Sequence, residues 1–365
     1  MSFRRLTARA LALALLGVSA PGAATTINQN TSWTITGTGA GSSQRIVAYG
    51  DSIYAGYNGA LFSVARRAGP LVQGEYLALA AHGPVEVVRR ARSGARAEDV
   101  YENKILAEKS YMQASNTRVV TFEMCGNDYL QARTAFAGQS GTCDFAPLEQ
   151  ALSSCTLYTE RAMQAINRYA PSSALKVVSN LYYPGFGADN VTTTCTDSTT
   201  RKAVNRRARF LPYLVRSNWR TCELARQNGF ECADTFAEFM AADYDSNGDG
   251  LIDRDAVRYQ PGESEAAYLA RLTTGPLAAT LRDANAHLAS AGASYDYLQS
   301  DDVHPTHFSP AVISLGLFTG SGSGAGPADF SAAQLEAGKN PEWNRWGHER
   351  LGWRLSTFLP SSSRR

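Results

Sequence analysis

Past residue 24 the chain has no apolar run long enough to cross a bilayer, which takes roughly 20 residues. A membrane-spanning helix is therefore not expected there. There is also no long basic run interleaved with aromatics, and 35 Lys and Arg against 33 Asp and Glu leave a net charge of only +2. A nucleic-acid partner has no electrostatic footprint here. No Cys-x-x-Cys pair and no Cys/His cluster with metal-ligand spacing occurs, which argues against zinc. No internal repeat is visible.

What is present is a 365-residue chain, 44% hydrophobic, which suits one large domain with a sizeable core. Residues 1–24 follow the order of a targeting segment: Arg4 and Arg5, an apolar run from Leu11 to Val18, then Gly22-Ala23-Ala24 as a cleavage site. The expectation is export, extracellular or periplasmic, of a soluble monomer. Six cysteines fit an oxidising compartment and three disulfides. Sequence proximity suggests Cys143 with Cys155 and Cys222 with Cys232, which leaves Cys125 with Cys195.

Residues 25–43, rich in Thr, Ser, Gly and Asn, read as a polar arm or linker ahead of a domain over 44–360. Short β-rich runs then alternate with longer helix-like segments. The runs are Arg45–Tyr49, Val85–Val88, Arg118–Glu123, Leu175–Leu181 and Phe230–Asp234; the helices are expected over Leu61–Ala68, Ala97–Met112, Pro147–Tyr169 and Lys202–Asn228. Such alternation predicts an α/β fold, a parallel sheet covered on both faces, with its site at the carboxyl ends of strands. Residues 241–262 and 316–346 read as surface insertions.

The polar motifs fall at those strand ends. Ile46-Val47-Ala48-Tyr49-Gly50-Asp51-Ser52 is a strand running into Gly-Asp-Ser. A serine there needs a base within hydrogen-bond reach. Asp301-Asp302-Val303-His304-Pro305 offers one: an Asp three residues before a His folds back in a tight turn and accepts the imidazole N–H. Asp302 is an alternative orienter; His307 and His348 compete with His304 but lack an Asp at that spacing. Gly94, after the second strand, can bring a backbone N–H close to a substrate, and the Asn127 side chain, after the third, can donate to an oxyanion. Asp51 and Asp128 read as turn residues that bond nearby backbone.

In order and spacing, Gly50-Asp51-Ser52, Gly94, Gly126-Asn127-Asp128 and Asp301-x-x-His304 resemble the four sequence blocks of the SGNH/GDSL hydrolases, over about residues 44–310 and a closing helix. The resemblance implies a flavodoxin-like three-layer α/β/α fold and carboxylic ester hydrolysis through an acyl-enzyme. It implies Ser52 as nucleophile, His304 as base and Asp301 as orienter, with Ser52 N–H, Gly94 N–H and Asn127 as oxyanion donors. Two departures stand out. Ile53 follows Ser52 where the family has Leu, and the 316–346 insertion separates His304 from the closing helix that starts near Gly347-His348.

The acidic stretch Asp243–Asp255 resembles a calcium loop of the EF-hand or dockerin kind. In register, Asp245, Asn247 and Asp249 take alternate ligand positions, Gly250 the turn, Leu251 a carbonyl position and Asp253 the ninth. The twelfth is Ala256, with Asp255 one residue early. A structural Ca²⁺ is expected, and no cofactor for catalysis. The competing readings are an acyltransferase using an alcohol acceptor, and a non-catalytic, calcium-dependent surface or carbohydrate-binding protein on a hydrolase scaffold. Small-molecule, lipid and polysaccharide esters are all candidate substrates. Tyr54, Tyr57, Tyr129, Tyr182, Tyr183 and Phe186 could line an aromatic groove or pack in the core.

Overall fold

The computed structural model describes residues 28–37, 39–58, 63–64, 68–183, 192–241, 247, 253–274, 277–278, 303–305 and 347–358. Six strands form the central sheet: β1 (Asn28–Ile35), β2 (Gln44–Gly50), β3 (Val85–Arg92), β4 (Thr117–Phe122), β5 (Leu175–Ser179) and β6 (Glu231–Ala233). Their spatial order is β1-β3-β2-β4-β5-β6, with β1 antiparallel to β3 and the other pairings parallel. Without β1 this is the flavodoxin-like, doubly wound order, in which the order of strand addition reverses between β2 and β4. The α/β class expected from the alternating runs is thus the observed one.

A strand buried on both faces must be apolar at successive positions. Strand β2 shows how the two faces divide. Ile46 and Ala48 pack with Val87, Val119 and Val177 against Leu71 and Leu77 of α2 (Gly69–Ala81) and Leu351 and Leu355 of the C-terminal helix Gly347–Ser356. Val47 and Tyr49 face the opposite layer with Val120, Phe122 and Val178. That layer is built on Leu152, Met163 and Ile166 of the helix Ala146–Tyr169 and Phe210 and Leu214 of the helix Arg206–Asn228.

Several expectations need correction. The polar stretch 25–43 is not a linker throughout, because Asn28–Ile35 forms edge strand β1. Within it Ile35 is buried and Trp33 receives the guanidinium of buried Arg89 at 4.5 Å, so two large side chains outweigh the polar composition. The helix expected over Leu61–Ala68 is absent where described: Ser63–Val64 pairs with Tyr57–Asn58 as a two-stranded ribbon, and helix α2 starts at Gly69, with Pro70 in its first turn. The helix expected from Lys202 starts at Arg206, where Asn205 caps it by accepting from Ala208 N–H at 2.8 Å.

The cysteine pairing also differs. Cys222–Cys232 forms as expected, but Cys143 pairs with Cys195, joining the strands Ser140–Thr142 and Thr192–Thr196 of a small second sheet. Neither Cys143–Cys155 nor Cys125–Cys195 exists. Cys155 lies on the buried face of its helix beside Cys125, and both remain free thiols, pushed up in pKa by burial. The signal-like segment 1–24, the insertion 316–346 and Phe186 lie outside the described residues. Among the described residues, no helix is long and apolar enough to cross a membrane.

Candidate active site

The switch point of the strand order lies between β2 and β4, and three polar motifs converge at the sheet's carboxyl edge there. Strand β2 ends at Gly50, and the four-residue helix α1 (Ser52–Ala55) begins at once, capped by Asp51, whose carboxylate accepts from Ile53 N–H at 2.9 Å. Ser52 is 6% exposed. Strand β4 is followed by Cys125 in a left-handed conformation (φ 86°), which turns the chain so that α3 (Gly126–Ala137) starts with Gly126-Asn127-Asp128 facing the edge. Strand β3 is followed by Gly94 (φ 80°) in a turn closed by Ala95 N–H to Arg92 C=O at 3.1 Å, a conformation that favours glycine.

Asn127 ties the three motifs together. Its Nδ2 donates to Ala95 C=O at 2.9 Å and, more loosely, to Asp51 Oδ2 at 3.3 Å. Asp128 holds the same junction from the other side, accepting from Ala97 N–H at 2.8 Å. Burial raises its pKa to about 6. Asp51 and Asp128 are thus structural, as the turn reading expected, but Asp51 is nearly inaccessible (1%) and sits inside a polar network rather than on a surface turn.

His304 is brought to this edge from the far end of the chain. Its ring lies 4.6 Å from that of Tyr57 at 51°, and it is close enough to Asp51 for a charge on it to favour the Asp51 carboxylate. The preceding residue is anchored: Tyr182 Oη donates to Val303 C=O at 2.5 Å, and Tyr182 stacks on Phe239 at 4.5 Å. Ser52, Gly94, Asn127 and His304 therefore fall in one region, whereas Asp301, Asp302 and His307 lie outside the described residues. His348 is buried on the C-terminal helix.

Beside Ser52 opens an apolar cavity walled by Ile53, Leu130, Leu181, Tyr182, Phe210 and Leu214. Of the aromatic candidates, Tyr129 and Tyr182 line it. Tyr54 and Tyr183 are fully buried; the Tyr54 hydroxyl bonds Thr121 at 2.8 Å beneath the sheet edge. Leu130, Phe210 and Leu214 were not singled out in the sequence, because helix periodicity marks them only as core-facing. Glu123 was missed as well. It was read as a strand residue, yet its carboxyl contacts the turn that carries Ser52.

Little of the acidic loop is described. Asp245, Asp249 and Leu251 fall outside the described residues. Asp255 forms an ion pair with Arg258. Among the described residues, no group of three or more His, Cys, Asp or Glu side chains is placed to hold a metal.

The family model described as "GDSL-like Lipase/Acylhydrolase" matches residues 46–308. No curated protein matches. Among solved structures, the chain is similar to an extracellular lipase from Streptomyces rimosus at 22% identity, covering 54% of this chain and 82% of that one, TM-score 0.37. It is also similar to a phospholipase A1 from Streptomyces albidoflavus at 20% identity, covering 63% and 98%, TM-score 0.40. A third is a lipase from a goat rumen metagenome at 17% identity, covering 65% and 97%, TM-score 0.43.

Proposed function

We propose that this chain, which belongs to the GDSL-like lipase/acylhydrolase family and is a carboxylic ester hydrolase, cleaves its ester by covalent catalysis at Ser52. His304 is the general base and Asp301 orients it. The observation that carries this reading is the convergence of Ser52, Gly94, Asn127 and His304 from four separated segments at the carboxyl edge of the sheet.

The steps follow from those positions. The imidazole of His304 takes the hydroxyl proton as Ser52 Oγ bonds to the ester carbonyl carbon. The carbonyl oxygen gains the negative charge, and N–H groups of Ser52, Gly94 and Asn127 receive it. The imidazolium then protonates the departing alcohol oxygen as the C–O bond breaks, leaving an acyl-serine. Water, deprotonated by the same imidazole, releases the acid and regenerates Ser52. For Asn127 this means exchanging its long 3.3 Å bond to Asp51 for the oxyanion while keeping the 2.9 Å bond to Ala95 that aims the amide. The apolar cavity beside Ser52 suits the acyl chain or another hydrocarbon portion of the ester.

The test is turnover of a short p-nitrophenyl ester. Wild-type chain should hydrolyse it, and Asn127→Ala should lose about 10²–10³ in kcat with KM little changed. An inactive wild type, or an Asn127→Ala variant at full rate, overturns this arrangement.

The two disulfides support folding in an oxidising compartment and hence the exported location read from residues 1–24. For the acidic loop, a Ca²⁺ held by Asp245, Asn247, Asp249, the Leu251 carbonyl and Asp253 would be structural, and Asp255 is instead engaged by Arg258. Chelation with EGTA is then expected to lower Tm by about a few degrees and leave kcat unchanged. An unchanged Tm contradicts the calcium reading.

A further inference from the structure

The ester-cleaving site rests on a buried acid that the nucleophile, base and oxyanion roles do not use. Glu123 is the first residue beyond the β2–β4 ladder, where Tyr49 pairs with Phe122 and Glu123 N–H donates to Tyr49 C=O at 3.1 Å. Its side chain is 2% exposed and turns under the Ser52 loop. Oε1 accepts from the N–H of Asp51 at 2.6 Å and, more weakly, from that of Tyr54 at 3.4 Å, the amides on either side of the nucleophile's turn. Space for it exists only because residue 50 is glycine. A Cβ there would lie 2.4 Å from Glu123 Oε1.

The other oxygen, Oε2, is fully buried and has no N–H or hydroxyl donor. The carboxyl of Asp51 lies close enough to repel a negative charge on Glu123. Two carboxyl groups this close in a dry site favour a state in which one of them holds a proton. Among the described residues, no Lys or Arg forms an ion pair with either group. A pair of adjacent buried carboxyls with no such Lys or Arg resists ionising twice. The neighbours decide which one keeps the proton. Burial raises the Asp51 carboxyl as well, but Asp51 accepts from Ile53 N–H at 2.9 Å and Asn127 Nδ2 at 3.3 Å and faces His304, all of which favour its anion. Among the described residues, the titratable groups facing Glu123 are Asp51, Tyr54 and Cys125, and none supplies a positive charge.

We propose that Glu123 is a positioning residue of the ester-cleaving site, present as the neutral acid and donating its Oε2 hydrogen to Asp51. One buried proton then fixes the turn that presents Ser52 and the Asp51 carboxylate that Asn127 leans on. It also leaves one negative charge rather than two beside His304. Burial, and then repulsion by Asp51, pushes the Glu123 carboxyl well above the usual range, consistent with this arrangement. The effect on rate rests on Ser52 being the nucleophile; the protonation state does not.

The test compares Glu123→Gln with Glu123→Leu. Glutamine reproduces a neutral acid: its carbonyl oxygen accepts from Asp51 N–H, and its amide donates to the Asp51 carboxylate. Leucine does neither. Glu123→Gln should keep kcat within about threefold of wild type, with an unshifted pH profile, and Glu123→Leu should lose at least about tenfold in kcat with KM little changed. In the infrared spectrum at neutral pH, the C=O stretch of a buried protonated carboxylic acid should be present in wild type and missing from Glu123→Gln. A tenfold loss or a shifted pH profile in Glu123→Gln, or an infrared difference showing a lost carboxylate instead, overturns the proposal. Should Glu123→Leu fail to fold, the glutamine variant and the band still decide. Ser52→Ala separates the two readings: it should keep the band, and full activity in it would sink the nucleophile assignment alone.

Discussion

Ser52→Ala is expected to lower kcat on a short p-nitrophenyl ester by at least ~10³, a barrier increase of about 4 kcal/mol, with Tm and circular dichroism unchanged. The fold should tolerate the change, because the helix cap beside Ser52 is made by Asp51 to Ile53 N–H, and the oxyanion amide of Asn127 is held by Ala95 C=O. Only the atom that bonds to the carbonyl carbon is lost. Residual turnover above the uncatalysed rate is expected, since the oxyanion donors and the apolar cavity survive. Full activity in this variant would move the nucleophile elsewhere.

The largest expected effect on stability lies away from the chemistry. Glu238, on the helix Thr235–Met240, is fully buried. It accepts from Arg350 Nε at 2.7 Å and from Arg258 Nη2 at 2.5 Å, and pairs with Arg254 at 3.3 Å. This one carboxylate ties the C-terminal helix to the segment after the acidic loop. Glu238→Ala would remove the buried counter-charge shared by three crowded guanidinium groups, and a cost of about 3–5 kcal/mol is expected from urea denaturation. A loss below about 1 kcal/mol would show that solvent or other acids carry the cluster.

The same residue carries a pH signature. Burial alone would raise the Glu238 pKa, but Arg350, Arg254 and Arg258 together hold it below the usual carboxylate range. A depressed folded-state pKa contributes stability above the unfolded value, near 4.5, that is lost as pH falls through the folded value. Glu238→Ala should therefore flatten the acid limb of the wild-type stability profile.

The central sheet was legible because each of its parallel strands is a short apolar run between helical segments, and a strand buried on both faces needs that pattern. The site was legible because its residues cluster where strands end: Ser52 after β2, Gly94 after β3, Asn127 after β4. What escaped depends on pairing between distant segments. Strand β1 reads as polar, and only the register against β3, which sets Trp33 beside buried Arg89, makes it a strand. Cys143 and Cys155 are near in sequence, but the helix from Ala146 carries Cys155 into the core, while Thr192–Thr196 brings Cys195 to Cys143. Glu123 looked like an ordinary strand residue, since nothing local announces that its carboxyl meets Asp51 from the neighbouring strand end.

The most direct test of the proposed chemistry is covalent. Wild-type chain treated with a fluorophosphonate should gain one phosphonyl group per molecule. Peptide mass spectrometry should place it on Ser52, with activity lost in proportion to labelling. A chain that hydrolyses esters yet remains unlabelled at Ser52, or carries the phosphonyl group on another residue, would contradict the assignment.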